Sequence, residues 1–263
     1  MADVIEIHDA ADPRIAPYVA IRERDLTGRG ERFIVEGRVT LEILMTRSRF
    51  AVESLFLAES RLDPLAALIG DLPDNVPVYT AHQALFDEIA GFPVHRGILA
   101  CARKGTPLKP GDCLNGDPVL VAIGLSNHDN MGALFRNAAA FGAGGILLDA
   151  AACDPLYRKS IRVSAGTALW LPFARLTGGH DILQTLALAG YETWALTPRL
   201  GAPSLWQLPV PDRVALMVGP EGPGLADDLI KAARPVRIPV REAVDSVNVA
   251  TAAAIALAHV FAR

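Results

Sequence analysis

Short apolar runs alternate with helical patterns along the whole of this chain. Before residue 105 the apolar runs predict strands at 33–35, 55–57, 76–79 and 97–101. Apolar positions at helical spacing predict helices at 38–49, 64–69 and 81–89. This alternation favours a small α/β domain.

The apolar runs of the second half are longer and continuous. They predict strands at 119–125, 145–148, 192–196, 214–218 and 236–240. Helices are predicted at 131–141, 155–163, 181–189, 225–232 and 249–261. Continuous apolar runs are typical of a parallel sheet that is covered on both faces. Because such sheets bind ligands beyond the carboxyl ends of their strands, functional residues are expected at those ends.

A stretch rich in Pro, Gly, Asn and Asp separates the two halves, and this composition is typical of a linker. The stretch covers residues 105–117. We therefore predict a first domain at 1–104 and a second at 118–263. Since 51% of the residues are hydrophobic, a sizeable buried core is expected and disorder is not.

Composition argues against several classes of protein. The longest apolar candidate, 247–262, is interrupted by Asn248, Thr251 and His259 and falls short of the ~18 residues of a membrane span. The N-terminus lacks a signal-peptide pattern, so we expect a soluble cytoplasmic protein without a membrane partner. The three cysteines are widely spaced and the six histidines are scattered. We therefore expect neither a disulfide framework nor a metal site.

Arginines crowd the N-terminal region although the formal net charge is −4. The crowded set is Arg14, Arg22, Arg24, Arg29, Arg32, Arg38, Arg47 and Arg49, and a second basic cluster is Arg158, Lys159 and Arg162. Guanidinium groups suit phosphate because they donate two parallel hydrogen bonds. Composition alone favours the alternative, a solvated surface. Its acidic partners would be Glu23, Asp25, Glu31, Glu36 and Glu42.

Polar side chains follow the first strand of the second half. The segment 126–130 is polar, and the helix predicted after it contains Arg136. Capping of that helix by Asp129 or Asn130 would explain an asparagine there. It would not explain Arg136, although a solvent-facing arginine is common on helices.

The glycines at 141–145 resemble part of a dinucleotide-binding fingerprint, but they follow a helix and precede a strand. They are better interpreted as a helix C-cap and turn. No Gly-x-Gly-x-x-Gly segment follows a strand, which argues against a dehydrogenase.

Two further polar segments lie near the C-terminus. Residues 219–224 contain two Gly-Pro steps with Glu221 between them, which predicts a rigid loop with exposed main-chain groups. Residues 245–248 precede the last helix, where Ser246 or Asp245 would be the cap. Neither a tight turn nor capping accounts for so many polar and restricted positions, so we expect a ligand site.

Taken together, three segments resemble the motifs of the SpoU/TrmH family of RNA ribose methyltransferases. They are Asn130-x-Gly-x-x-x-Arg136, Val218-Gly-Pro-Glu-Gly-Pro-Gly-Leu225, and Ile238-Pro239 with Ser246-x-Asn248-Val-Ala. The resemblance covers 118–263. A weaker likeness, through 32–37 and 95–99, relates the first half to the family's substrate-binding domain.

The resemblance implies a fold, a cofactor and partners. The fold would be α/β, a C-terminal SPOUT domain with a parallel sheet and a trefoil knot, preceded by a small α/β RNA-binding domain. S-adenosylmethionine would bind in a bent form inside the knot, and the protein would be a homodimer acting on rRNA or tRNA. The implied reaction is methyl transfer to a ribose 2'-hydroxyl.

Site residues are implied by the same match. Those at the cofactor are Thr197, Gly219, Ile238 and Val247, and Val247 stands where the family usually has leucine. The catalytic set is Arg136, Asn130, Glu221, Ser246 and Asn248, and the RNA-binding set is Arg22, Arg24 and Arg29. The guanidinium group essentially never deprotonates in proteins. We therefore expect Arg136 to hold a phosphate and stabilise the developing oxyanion.

Two other functions are weighed against this enzyme. One is a catalytically silent protein of the same fold that binds RNA or the cofactor. The intact set of Arg136, Glu221, Ser246 and Asn248 argues against it. The other is a different nucleotide-using α/β enzyme, which the missing dinucleotide fingerprint disfavours.

Overall fold

A computed structural model describes residues 3–19, 21, 30–94, 96–241 and 243–262. The strands are β1 (Val4–Glu6), β2 (Arg32–Glu36), β3 (Ala51–Ala58), β4 (Val78–Ala81), β5 (Ile98–Arg103), β6 (Val119–Ala122), β7 (Gly145–Leu148), β8 (Phe173–Arg175), β9 (Glu192–Leu196), β10 (Val214–Val218) and β11 (Arg234–Val236). The helices are α1 (Arg38–Thr46), α2 (Ala66–Gly70), α3 (Gln83–Ala90), α4 (His128–Ala140), α5 (Arg158–Val163), α6 (Gly179–Leu188), α7 (Asp227–Ala232) and α8 (Val249–Phe261).

The chain forms two compact units. Unit 1 contains residues 1–106 and 156–170, and unit 2 contains residues 107–155 and 171–263. The segment 156–170 lies within the second domain predicted from sequence, yet its contacts assign it to unit 1. Arg158 of α5 pairs with the β2 residue Glu36 and stacks over the ring of Phe92 at 4.8 Å.

Unit 1 is built on a mixed sheet with the order β1-β4-β3-β5-β2 in the described part of the chain. Strands β1, β4 and β3 are parallel, and β5 is antiparallel to both of its neighbours. Aromatic residues fill the core on one side, where Phe56 stacks on Phe86 with ring centroids 4.4 Å apart. The buried hydroxyl of Tyr18 is hydrogen-bonded to the carbonyl and hydroxyl oxygens of Ser54, and it accepts a hydrogen bond from the amide of Cys101.

Unit 2 is built on a parallel sheet with the order β11-β9-β10-β6-β7-β8 among the described residues. The residues of β6, β7 and β10 are buried throughout, as expected for strands covered on both faces. This confirms the prediction of an α/β fold with a parallel sheet. Helices α4 and α8 pack together, and Asn137 on α4 donates a hydrogen bond of 2.9 Å to the carbonyl of Ala250 on α8.

Several element ends differ from the sequence prediction. Strand β6 stops at Ala122, because Gly124 adopts a φ of +58° and its amide turns to the carboxylate of Asp149. The strand predicted at 236–240 is instead β11, which covers Arg234–Val236. Pro239 has no amide hydrogen and cannot extend its ladder. The three-residue strands β1 and β8 were not predicted, since they are too short to show a period.

Within the described residues no helix is long and apolar enough to cross a membrane, and no group of three or more acidic, His or Cys side chains could hold a metal ion. Cys101 and Cys113 are buried and Cys153 is partly buried, all as free thiols.

Candidate active site

Three loops of unit 2 meet at the carboxyl ends of β9, β10 and β11. Between them lies a cavity of about 360 Å³, a size at the lower end of the range for small-molecule pockets. The lining includes Thr197 to Arg199 after β9, residues 219–225 after β10, and 246–249 before α8. The expected position of the site, beyond the carboxyl ends of parallel strands, is therefore the position of this cavity.

The loop after β10 is held in one tight conformation. A Cβ atom on Gly219 would lie 2.6 Å from the amide nitrogen of Leu225 and 2.7 Å from the carbonyl carbon of Gly224. Gly222 and Gly224 adopt φ values of +86° and +70°, which side chains disfavour. Glycine at these positions thus lets the main chain fold back on itself and presents Glu221 beside the cavity.

The four residues assigned to cofactor binding by the family resemblance all line this cavity. They are Thr197, Gly219, Ile238 and Val247. Thr197 continues the line of β9, since its amide donates to the carbonyl of Val236 at 3.0 Å. Most of the remaining wall is apolar, including Leu196, Val218 and Leu225.

A hydrogen-bonded group connects the three sequence motifs. The Nδ2 of Asn130 donates to Oε1 of Glu221. The Nδ2 of Asn248 donates to Oδ1 of Asn130 at 3.0 Å and to Oε1 of Glu221 at 3.4 Å. Residues far apart in sequence are thus joined at the cavity, where Glu221 and Asn248 form part of the wall. Ser246 also lines the cavity.

The helix caps are not the residues predicted from sequence. Asn127 caps α4, because its Oδ1 accepts from the amide of Asp129 at 2.8 Å and from that of Asn130. The predicted caps Asp129 and Asn130 were therefore wrong, and Asn130 is free to turn its side chain towards Glu221.

Asn248, and neither Ser246 nor Asp245, caps α8. Its Oδ1 accepts from the amides of Ala250 at 2.9 Å and Thr251 at 3.3 Å. The N-cap is the residue at which the main chain enters the helix. The sequence offers several polar candidates around that point and does not distinguish between them.

Arg136 lies away from the cavity of its own chain. It is exposed on α4 and is absent from the cavity wall, and within the described part of the chain no hydrogen bond or ion pair is formed by it. Its neighbour Asn137 faces α8, and successive residues of a helix point about 100° apart. A single chain therefore does not bring Arg136 to the other members of the predicted catalytic set.

Asn137 was missed by the sequence reasoning. It lies seven residues after Asn130, so two turns of helix place both on the same face of α4. That spacing could have indicated its contact with α8.

The described N-terminal arginines are mostly paired or stacked within unit 1. Arg14 pairs with Asp12, Arg32 with Glu53 and Arg38 with Glu42. Arg47 lies 4.3 Å over the ring of Trp170. Of the acidic partners predicted for the two basic clusters, Glu42 is found in one of these pairs and Glu36 pairs with Arg158. Glu23 and Asp25 lie outside the described residues. The predicted RNA-binding residues Arg22, Arg24 and Arg29 lie outside the described residues, as does His95.

A concave cavity at the carboxyl edge of a parallel sheet, with convergent amide and carboxylate groups, is typical of the ligand sites of α/β proteins. Residues 117–258 match the SpoU rRNA Methylase family. The chain belongs to that family, which confirms the resemblance deduced from the three motifs.

Similar proteins span nearly the whole chain. An uncharacterized tRNA/rRNA methyltransferase of Mycobacterium bovis is 35% identical over 97% of this chain and 90% of its own length. The 23S rRNA (guanosine-2'-O-)-methyltransferase RlmB of Salmonella typhimurium is 27% identical, over 85% of this chain and 96% of its own. The AdoMet-bound rRNA methyltransferase from Sinorhizobium meliloti shares the fold, with a TM-score of 0.83, 21% identity, and coverage of 98% and 97% of the two chains.

Proposed function

We propose that this protein is an S-adenosylmethionine-dependent RNA methyltransferase that methylates a ribose 2'-hydroxyl of rRNA or tRNA in the cytoplasm. The family match and the likeness to RlmB support the reaction type. The observation that carries the proposal is the hydrogen-bonded group of Asn130, Glu221 and Asn248 beside the cavity. A fold alone does not define the chemistry, and convergent polar groups beside a cavity support a reaction at this place.

The cavity fits the proposed cofactor. Its wall combines apolar side chains with the main chain of a glycine-rich loop, and a Cβ atom at Gly219 would collide with that loop. Thr197, Gly219, Ile238 and Val247 would hold the cofactor, which supplies an electrophilic methyl group that needs no metal ion for activation.

The residues of the protein would position the ribose and stabilise charge. We assign Glu221, Ser246 and Asn248 to orienting the ribose, because all three line the cavity. Arg136 would hold a neighbouring phosphate and stabilise the oxyanion that forms when the 2'-hydroxyl loses its proton to water or phosphate.

Because Arg136 lies away from the cavity of its own chain, the proposal includes a homodimer in which the arginine of one protomer serves its partner's cavity. Co-expression of an Arg136→Ala chain with a Glu221→Ala chain tests this. Half of the dimers would be mixed, and each would hold one intact site, so about a quarter of wild-type methyl transfer is expected. Each variant expressed alone would be inactive. No recovery in the mixture would contradict the shared site.

Replacement of Arg136 by lysine tests the role of the guanidinium fork. Lysine keeps the positive charge but cannot donate two parallel hydrogen bonds, so we expect methyl transfer to fall about a hundredfold or more. Cofactor affinity should stay unchanged in calorimetry. Near-normal turnover in Arg136→Lys would refute the bidentate role.

The C-terminal part of unit 2 is proposed to form a trefoil knot. The order β11-β9-β10-β6, with the cavity loops after β9, β10 and β11, supports this arrangement. Knots are rare in proteins, so a crystal structure traced through 196–262 is the direct test. A chain that passes beside these loops, and not through them, would reject the knot.

The N-terminal region is proposed as the RNA-binding domain. Changing Arg22, Arg24 and Arg29 to glutamine should weaken RNA binding and lower the salt slope of the affinity by about 2, since each phosphate contact on single strands contributes about 0.7. Cofactor affinity serves as the internal control. An RNA affinity with the wild-type salt slope would rule these residues out.

A catalytically silent binding protein remains the competing function. Incubation with methyl-labelled S-adenosylmethionine and rRNA or tRNA, followed by nucleoside analysis, separates the two. The proposed enzyme yields labelled 2'-O-methyl nucleosides. The RNA is taken from cells that lack the gene, so that its target sites are unmethylated. Cofactor binding without any methyl transfer to this RNA would favour the silent protein.

A further inference from the structure

The charged side chains of the cavity are few. Among the described residues that line it, Arg199 carries the one positive charge and Glu221 the one negative charge. Arg199 lies on the loop after β9, two residues beyond Thr197, and Glu221 lies on the loop after β10. The two charges thus come from different loops around a largely apolar space.

Arg199, which lines the cavity, is paired with Asp227. Its Nη2 donates to Oδ1 of Asp227 in the first turn of α7, and the guanidinium lowers the pKa of that carboxyl below its usual value. The arginine side chain is 49% exposed, so this pair contributes little to stability. A guanidinium has five N–H donors in a planar fork, and a second carboxylate can share it with Asp227.

The proposed cofactor carries charges of both signs. Its sulfonium and ammonium groups are positive, and its carboxylate is its one negative group. A carboxylate and a guanidinium form paired, charge-assisted hydrogen bonds that are stronger than neutral ones. An arginine in the wall of an otherwise cation-poor cavity matches that group in sign and geometry.

We propose that Arg199 binds the carboxylate of the methionyl part of S-adenosylmethionine, and that Asp227 positions the guanidinium for it. This inference rests on the proposed function and adds a specificity-determining residue to it. Arg199 lies outside the three motifs. Neither a glycine-rich segment nor a helix cap indicated it in the sequence.

Calorimetry with two forms of the cofactor tests the assignment. The ligands are S-adenosylmethionine and its decarboxylated form, which keeps the nucleoside and both positive groups. The wild-type protein should bind the complete cofactor about tenfold more tightly, as one charge-assisted interaction predicts. Arg199→Gln should lose that preference, because it weakens binding of the complete cofactor and leaves that of the decarboxylated form within about twofold.

Two further variants separate charge from packing. Arg199→Lys keeps a cation, and we expect it to retain part of the preference for the carboxylate. Arg234→Gln is the matched control, because Arg234 forms a similar exposed pair with Glu192 on the same unit but is absent from the cavity wall. It should bind both ligands as the wild type does.

Each other outcome overturns the assignment. An equal loss of both ligands in Arg199→Gln would mean that the arginine shapes the loop and does not bind the carboxylate. Unchanged binding of both, with weaker RNA binding, would assign Arg199 to the substrate. If the wild-type protein bound neither ligand, the proposed function itself would fail, a result distinct from the first two.

Discussion

At the scale of single residues, Asn248 joins helix formation to the site. The oxygen of its side-chain amide caps α8, and the nitrogen of the same amide donates to Asn130 and Glu221. The start of the helix therefore fixes the direction of the donor. The backbone requirement of the helix and the proposed function of the site thus use the two ends of one planar group.

Substitution can separate the capping role of the Asn248 side chain from its role as a hydrogen-bond donor. Asn248→Ser retains a capping oxygen but loses the amide donor, whereas Asn248→Ala loses both. We expect Asn248→Ala to be less stable than Asn248→Ser by about 1 kcal/mol in urea unfolding, the usual contribution of a cap. Methyl transfer should be lost to a similar extent in both. Recovery of activity in the serine variant would show that capping alone matters.

The sequence identified these residues without showing how they meet. Asn130, Glu221 and Asn248 could be singled out, since each stands in a polar or restricted segment after a strand. Their mutual contacts depend on a sheet order in which β10 lies between β9 and β6. That order is set by long-range packing, which local patterns do not encode. Arg199 was missed for the same reason.

At the scale of elements, the loop between β10 and α7 depends on close approach of the main chain. The position of Gly219 leaves no room for a methyl group, since main-chain atoms of residues 224 and 225 would lie within 3.0 Å of it. Unlike the end of a flexible side chain, a main-chain segment cannot move aside without displacing its neighbours.

Gly219→Ala should therefore open this loop and disturb the cavity. We expect an unfolding free energy lower by about 1–3 kcal/mol, as for other overpacked positions, and a loss of cofactor binding. Gly201→Ala is the control, because a Cβ atom there meets nothing within 4 Å. Equal stability and cofactor affinity for the two variants would contradict the role of close packing.

Elements were predicted well where the pattern was long. The 13-residue helix α8 was predicted with its observed bounds, because its alanine-rich run has a clear start and end. Strand ends and caps were predicted less well. The positive φ of Gly124 and the missing amide hydrogen of Pro239 each end a strand locally. Such effects move the end of a strand by a few residues and leave the apolar pattern of the sequence unchanged.

At the scale of the whole molecule, each unit holds a thiol whose pKa is raised by full or partial burial. Burial raises the pKa of Cys101 in unit 1 from its ordinary value of 9.0 to about 12, and that of Cys153 in unit 2 to about 11. Unfolding returns both groups to the lower value. Their contribution to stability is thus present below pH 9 and is lost as the pH rises towards 11 and 12.

We expect the free energy of unfolding to fall between pH 9 and pH 10.5, by up to about 1.4 kcal/mol per pH unit for each thiol. Urea unfolding across this range measures the fall. A variant with Cys101→Ala and Cys153→Ala should show a shallower dependence on pH. The same slope in that variant would assign the alkaline loss to other groups.

Unit 1 is built from two separate segments of the chain, so recombination between related genes can divide it. Glu36 and Arg158 are 122 positions apart and form a nearly buried ion pair within unit 1. Loss of either partner alone would leave an uncompensated charge, typically at a cost of about 3–5 kcal/mol. A crossover between related genes near codon 105 would take position 36 from one ancestor and position 158 from the other, so the pair would be lost wherever the ancestors differ at either position. Viable hybrids should therefore inherit residues 156–170 from the parent that donates the N-terminus.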